Sequence, residues 1–426
     1  MLNGLLITYY FHPCNNVASL RPYSWFNNFQ ELGINLTVIT RHWEGTEKNA
    51  IDFHQSVNKQ KEIVAVNNSS IHYLPFQNTS VYSKKFPPRI QQMKDILEFV
   101  FDSREIKDLH NSFYNECIDV IKHKKIDFII VTAGPFSLFP LAYQLNKEFN
   151  IPYIVDFRDL WSLSEHTRQK TKIGFLTKVQ NYLLRKRIGK WISNSIGVIS
   201  VNDDLGKHLL KRLNHVDKKY FSVYNGYEET LFDNVVRSQK HIFTFSVIGT
   251  IYPEQNIQIA IDSIILFLEK YSSNEDFQFN FIGTAVYPEL KHKIQSQLNS
   301  DYVRLTDRLP REQALSIMAN SNVLFHCGWP SHIGISSGKI YEYIAAGPAV
   351  LIAPNDFGVM EKIISETGTG FTANSSNDMF NILENLYQLH KKSLPNGLNR
   401  DEVKIAEYTR ENQAKLLASK IKEWIN

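Results

Sequence analysis

Cysteine is scarce: the chain has three in 426 residues, Cys14, Cys117 and Cys327, with no Cys-x-x-Cys pair and no histidine-rich partner segment. That excludes a disulfide scaffold and a structural zinc module, and it fits a reducing compartment. An excess of charge of one sign is also lacking. With 47 basic against 43 acidic residues the net charge is +4, so the overall balance selects neither nucleic acid nor an acidic partner. No apolar run is long enough to span a bilayer. The longest, residues 128–143, is broken by Gly134-Pro135 and Pro140. The apolar run at 5–10 has no basic residues before it, so it reads as a first strand and not as a signal peptide. No Gly-x-Gly-x-x-Gly follows a strand candidate, which disfavours a dinucleotide-dependent dehydrogenase. Internal repeats, low-complexity tracts and Asp-x-Asp motifs are absent.

What is present is core material. A 43% hydrophobic and 12% aromatic content over this length is enough for two domains of ordinary size. Residues 5–10 as strand, an irregular loop to Ser19, a helix over 20–32 stopped by Gly33 and a strand at 36–40 make a βαβ unit. Asn15, Asn16 and Arg21 occupy the loop and the helix start, and asparagine tolerates the positive φ of a tight loop. Residues 41–92 are poorly patterned apart from a short strand at 71–75, and a long helix is expected over 91–123. Strands at 127–132 and 151–156 follow, with a helix over 137–149 between them. The second strand delivers Asp156, Arg158 and Asp159 to its carboxyl end, the edge where open parallel sheets bind ligands. That cluster reads either as a functional site or as an ion pair locking a loop.

Between Thr167 and Asn202 there is no carboxylate, while Arg168, Lys170, Lys172, Lys178, Arg185, Lys186, Arg187 and Lys190 alternate with apolar residues. The stretch 168–191 reads as a membrane-surface contact or as a solvated helix packed on its domain. RNA binding is a weaker third reading, because no recognisable module accompanies it.

The second half alternates strand and helix with equal regularity: strands at 243–248, 277–282, 303–305, 323–327, 349–353 and 369–373. Its focus is Ser336-Ser337-Gly338-Lys339-Ile340-Tyr341-Glu342. The serines read as a helix cap, Ile340, Tyr343 and Ile344 as the apolar face, and Gly347-Pro348 as the stop. N–H dipoles and a lysine converging at one helix start suit a diphosphate, and Glu342 one turn on suits a ribose diol. A capped helix between two strands of any α/β domain is the plainer reading.

The segment SGKIYEYIAAGPAVL resembles the nucleotide-sugar-binding segment of retaining GT-B glycosyltransferases of family 4. TAGPFS and PYIVDFRDLW are similar to stretches of family members that build cell-surface polysaccharide. The resemblance implies an α/β GT-B fold, with two Rossmann-like domains facing a cleft and a C-terminal helix crossing back to the first. The expected spans are 1–232 for an acceptor domain, 240–405 for a nucleotide-sugar domain and 406–426 for the helix. It implies donor contacts at Thr250, Arg308, Leu309, Ser336, Ser337, Gly338, Lys339, Ile340 and Glu342, and an acceptor loop around Asn15, Asn16 and Arg21. It also places Asp156, Arg158, Asp159 and Lys339 at the reacting centre. Many members carry a histidine facing the donor sugar, and the loop 133–137 offers none.

Two departures stand out. The arginine and lysine that clamp the family's diphosphate fall on the neutral Thr250 and Gln255, and the first glutamate of its Glu-x7-Glu motif falls on Gly334. The expected activity is hexosyl transfer from a nucleotide diphosphate sugar to a hydroxyl acceptor, with retention. The acceptor is expected to be a sugar or lipid-linked sugar, a polysaccharide precursor. No metal, no other cofactor and no nucleic acid is expected, and the location would be cytoplasmic, at the inner face of the membrane. A catalytically silent GT-B subunit and a sugar-nucleotide epimerase stay open as alternatives.

Overall fold

The computed structural model describes residues 1–47, 52–76, 104–160, 174–238, 241–271, 276–284, 287–298 and 300–425. The chain divides into two compact units, one made of Met1–Asn225 with Arg410–Asn426 and the other of Gly226–Thr409. The division therefore falls at 225/226 and 409/410, beside the expected 232/240 and 405/406.

The first unit runs β1 (Leu2–Ile7), α1 (Val17–Phe29), β2 (Ile34–Arg41), β3 (Glu62–Val66), β4 (Ser69–Leu74), α2 (Arg104–His123), β5 (Phe128–Thr132), α3 (Phe139–Phe149), β6 (Tyr153–Phe157), α4 (Phe175–Ser193), β7 (Gly197–Ser200), α5 (Asp203–Arg212) and β8 (Tyr220–Ser222). The strands form one sheet in the order β3-β4-β2-β1-β5-β6-β7-β8, parallel except for β3. Strand periodicity divides the core. Leu5, Ile7, Ile129 and Val131 face one layer with Phe113, Leu141, Ile188 and Leu205, while Leu6, Ile130, Ile154 and Ile199 face the other with Trp25 and Phe29 of α1. Helix α1 starts earlier than periodicity suggests, because Asn16 caps it by accepting the Ala18 N–H at 2.9 Å; Pro22 lies inside it. The hairpin strand β3 escaped notice because its residues are mostly exposed and carry no alternation.

The second unit runs β9 (Phe243–Ile248), α6 (Gln258–Tyr271), β10 (Phe277–Ile282), α7 (Pro288–Gln297), β11 (Val303–Thr306), α8 (Arg311–Asn320), β12 (Val323–His326), α9 (Gly338–Ala346), β13 (Ala349–Ile352), α10 (Val359–Glu366), β14 (Gly370–Thr372), α11 (Ser376–Lys391) and α12 (Glu402–Glu407). Its sheet, β11-β10-β9-β12-β13-β14, is wholly parallel. The central strands β12 and β13 are buried along their whole length, which explains their apolar runs, while the edge strands β11 and β14 are half-buried. The last helix, α13 (Arg410–Ile425), returns to the first unit, where Ala414, Leu417, Ala418 and Ile421 join the layer formed with α1. Both units are Rossmann-like, and the chain has the GT-B architecture.

The basic stretch is in part visible as α4. Leu184, Ile188 and Ile192 face the core, and Phe175, Tyr182, Lys178, Lys186 and Lys190 are exposed. Residues 168–173 of the stretch, and the first part of the helix expected over 91–123, lie outside the described residues. Among the described residues, no helix is long and apolar enough to cross a membrane.

Candidate functional site

The second sheet's carboxyl edge gathers the residues expected around a donor. Ser337 is extended, with φ −82 and ψ 135, and caps α9 by accepting the Lys339 N–H on its hydroxyl at 3.3 Å. Ser336 and Gly338 flank it, and Tyr343 of its first turns bonds Ile248, so the start of the helix sits beside the end of β9.

Lys339 turns back across the sheet edge. Its Nζ donates to the Thr250 carbonyl at 3.0 Å, and its side chain passes over Gly249. Gly249 has φ +90, and a Cβ there would stand 2.6 Å from Lys339 Nζ, so both the turn and the close approach need glycine. Burial pulls the lysine down to about 8; Glu342 opposes that shift and Arg308 adds to it. His326, buried at the end of β12, is pulled down to about 3 by burial and by the Lys339 charge. It is therefore a neutral imidazole, with Nδ1 2.9 Å from the Cys327 carbonyl. A helix N-terminus, an ammonium and an uncharged imidazole leave a net positive potential at this edge.

The two departures now have a physical explanation. Gln255 is a structural tie: its amide donates to the Cys327 carbonyl at 2.5 Å and accepts the Tyr252 N–H at 2.9 Å. A long cation at that position would have to give up both bonds. Thr250 contributes its carbonyl to Lys339, so a cation carried on α9 stands where the loop after β9 has none. Gly334 lies in the loop before the cap with φ +72.

Glu342 and Ile340 differ from expectation. Glu342 is ion-paired with Arg311 of α8 at 2.8 Å, so a ribose diol would have to compete for it. The Ile340 side chain is fully buried in the domain core, which removes it from the donor contacts; its N–H bonds back to the Ser337 carbonyl at 3.2 Å. Arg308 and Leu309 follow β11, with Arg308 exposed and its side chain beside Gly283 at the end of β10.

The first sheet's carboxyl edge is built differently. Asp156 is wholly buried and accepts the Arg21 guanidinium, with Nη2 to Oδ1 at 2.8 Å and Nε at 3.2 Å from both oxygens. Arg21 also donates to the Val223 carbonyl at 2.5 Å. Both were expected to face a substrate; instead they brace α1, β6 and the segment after β8 from inside. Arg158 donates to the carbonyls of Ala133 and, at 2.6 Å, Ala18, so it too ties loops together. Asp159 is exposed and accepts the Leu160 N–H at 3.2 Å. Neither Asn15 nor Asn16 adopts the positive φ expected of a tight loop; Asn16 has φ −108. The loop is held by Glu47, whose buried carboxylate accepts N–H bonds from Asn15 at 3.1 Å, Glu44 at 2.8 Å and Gly45 at 3.2 Å. Burial pushes this carboxylate's pKa up, and the surrounding N–H groups more than offset that.

Sequence reasoning missed Glu47, Arg311 and His326. Arg311 pairs with Glu342 and Glu47 reaches Asn15 across about thirty residues, and the burial that neutralises His326 comes from the packed sheet, so no local spacing signals them. A further missed feature is the buried Arg41, which among the described residues makes no ion pair closer than 4 Å. It donates to the Tyr9 hydroxyl at 2.8 Å and sits over Phe76 and Trp43, at 3.6 and 4.1 Å from the ring centres. Among the described residues, no group of three or more His, Cys, Asp or Glu could hold a metal ion.

Residues 228–412 match the model of the family described as glycosyl transferases group 1. No curated protein matches the sequence. Among the solved structures that resemble the whole chain are the following three. Sucrose-phosphate synthase from Thermosynechococcus elongatus has TM-score 0.64 and 12% identity, covering 99% of each chain. A glycosyltransferase from Rickettsia africae has TM-score 0.63 and 12% identity, covering 100% of this chain and 99% of that one. Anabaena HepE, in complex with UDP-glucose, has TM-score 0.56 and 12% identity, covering 99% of this chain and all of that one. At these identities the structures show a shared fold. The family match, which falls on the unit holding Lys339, makes the chain an enzyme of the glycosyltransferase kind.

Proposed function

We propose that this chain transfers a hexosyl group from a nucleotide diphosphate sugar to a hydroxyl acceptor, with retention at the anomeric carbon. The observation that carries the reading is Lys339, with its ammonium at the Thr250 carbonyl beside the capped start of α9. A leaving diphosphate there meets helix N–H groups, the Ser336 and Ser337 hydroxyls and a cation already in position. Binding would also return a full charge to Lys339, because an adjacent anion opposes the effect of burial. Glu342 takes the ribose once Arg311 lets go, and Arg308 and Leu309 lie toward the base. With no side chain offered as a nucleophile, the departing phosphate deprotonates the acceptor on the face it leaves. Of the three carboxyl-end residues on β6, the exposed Asp159 is the one suited to orient an acceptor.

The acceptor is read as a sugar or lipid-linked sugar of a polysaccharide precursor, used at the cytoplasmic face of a membrane. Support comes from the exposed face of α4, where Phe175 and Tyr182 stand among Lys178, Lys186 and Lys190. The three unpaired, buried cysteines agree with a reducing compartment.

A silent subunit is the second reading, favoured by Gly334 in place of a glutamate. A thermal-shift panel of nucleotide diphosphates and their sugars, with Lys339→Ala and Glu342→Ala alongside, tests the donor site. Saturation at a hundredfold the Kd stabilises by about 2.7 kcal/mol. A shift with one base that both variants lose supports the donor site. Release of nucleotide diphosphate only in the presence of acceptor then separates transfer from epimerisation, and binding without turnover leaves the silent subunit.

A further inference from the structure

The second unit also holds a cavity of about 550 Å³ that the donor reading does not use. It lies at the carboxyl edge of the sheet, between the loops after β9, β12, β13 and β14. Trp329 and Phe357 are its aromatic walls, and Glu254, Asn256, Asn374 and His332 bring polar groups to it. None of Gly249, Thr250, Ser336, Ser337 and Lys339 lines it, so it is separate from the diphosphate site. Its size falls within the roughly 300–1,000 Å³ of small-molecule sites.

The cavity is a built feature. Gly328 lies where a Cβ would stand 2.1 Å from the Pro354 carbonyl, so the loops after β12 and β13 touch directly there. Trp329 meets His332 edge-on at 5.2 Å and has Tyr252 at 6.2 Å. Phe357 is 55% exposed and adopts φ +48, a conformation that non-glycine residues avoid. It is held there by Asn355, which accepts the Phe357 N–H at 3.0 Å, and by Asp356, whose carboxylate takes the first N–H groups of α10. An apolar ring is thus held partly exposed at the rim of a hollow that mixes apolar and polar groups.

The lining selects a chemistry. It contains no lysine or arginine and one carboxylate, Glu254, which rules against phosphates and nucleotides. Flat aromatic faces suit the C–H face of a pyranose, while planar amide and carboxylate groups suit paired hydroxyls. We propose that this cavity is a carbohydrate subsite that holds one pyranose ring of a neutral glycan. It stands apart from the donor site and does not depend on turnover.

The test is tryptophan-fluorescence titration of the full chain with maltose and with the methyl β-glycosides of glucose, galactose and N-acetylglucosamine. Saturable binding of at least one probe is expected, with Kd on the order of millimolar. Trp329→Ala removes part of the signal, so saturation-transfer NMR reads that variant and Asn374→Ala. Both are expected to weaken binding at least tenfold while thermal midpoints stay within a few degrees of the parent. Lys339→Ala and saturating UDP are expected to leave glycan binding unchanged. No binding by any probe, or binding that survives both cavity variants, overturns the proposal. Competition by UDP also overturns it, because the ring would then belong to the nucleotide sugar. If Lys339→Ala retains glycan binding and no nucleotide binds even the parent, the donor reading fails and the subsite stands.

Discussion

The two sheets end in similar chemistry put to different use. Each presents charged residues at its carboxyl edge, Arg21, Asp156 and Arg158 on the first and Lys339 and Glu342 on the second. On the first edge the charges are consumed internally: Asp156 is wholly buried against Arg21, and Arg158 is spent on backbone carbonyls. On the second edge the lysine, at the start of a helix, donates to the Thr250 carbonyl, and Glu342, the carboxylate that acts on its charge, is itself paired with Arg311. A charge at a sheet edge is thus a brace when a counter-ion closes on it inside the core, and is left open to other partners when its nearest carboxylate is engaged elsewhere.

The largest effect that would break this contrast is expected at Arg21. Arg21→Ala strands a buried carboxylate and should cost about 3–5 kcal/mol in urea unfolding. A loss below about 1 kcal/mol would mean that Asp156 is not a brace. Next comes Lys339→Ala, which should weaken nucleotide diphosphate binding by about 1.5–3 kcal/mol, roughly ten- to a hundredfold in Kd by calorimetry. It removes an awkwardly buried charge, so no comparable loss of stability is expected.

A pH series sharpens the contrast further. Native Lys339 gives up its proton near 8, while the unfolded chain holds it until the ordinary lysine value of 10.5. Across that window the unfolded state binds more protons, so this residue's contribution to stability rises with pH. Affinity for a nucleotide diphosphate should fall over the same range. Opposite slopes in wild type, both absent in Lys339→Ala, are the expected signature. The smallest effect belongs to Arg311→Ala, since Arg311 is 57% exposed at its pair with Glu342. Stability should change by less than about 1 kcal/mol, and nucleotide affinity should rise a fewfold as Glu342 is released to the ribose.

The fold was legible because its signal is local. The strands at 243–248 and 277–282 emerge at the limits read from the sequence, since phenylalanine at every second position, closed by Val247-Ile248 and Phe281-Ile282, marks a strand locally. The cap at Ser337 and the stop at Gly347 were readable for the same reason. The first edge was not, because the partner that decides the role of Asp156 stands 135 residues away. Nothing near Asp156 distinguishes a catalytic carboxylate from a counter-ion. Glu342 shows the same limit on a shorter span: its place one turn into the helix is visible, and its partner Arg311, 31 residues earlier, is not.

The return of α13 to the first unit has a consequence for synthesis. Leu417, Ile421 and Trp424 belong to the layer that covers one face of the first sheet. Residues 1–225 leave the ribosome with that layer unfinished, whereas 226–409 is a continuous unit that is complete sooner. The layer begun by Trp25 and Phe29 of α1 is therefore closed only after the whole of the second unit has been made, when α13 joins it.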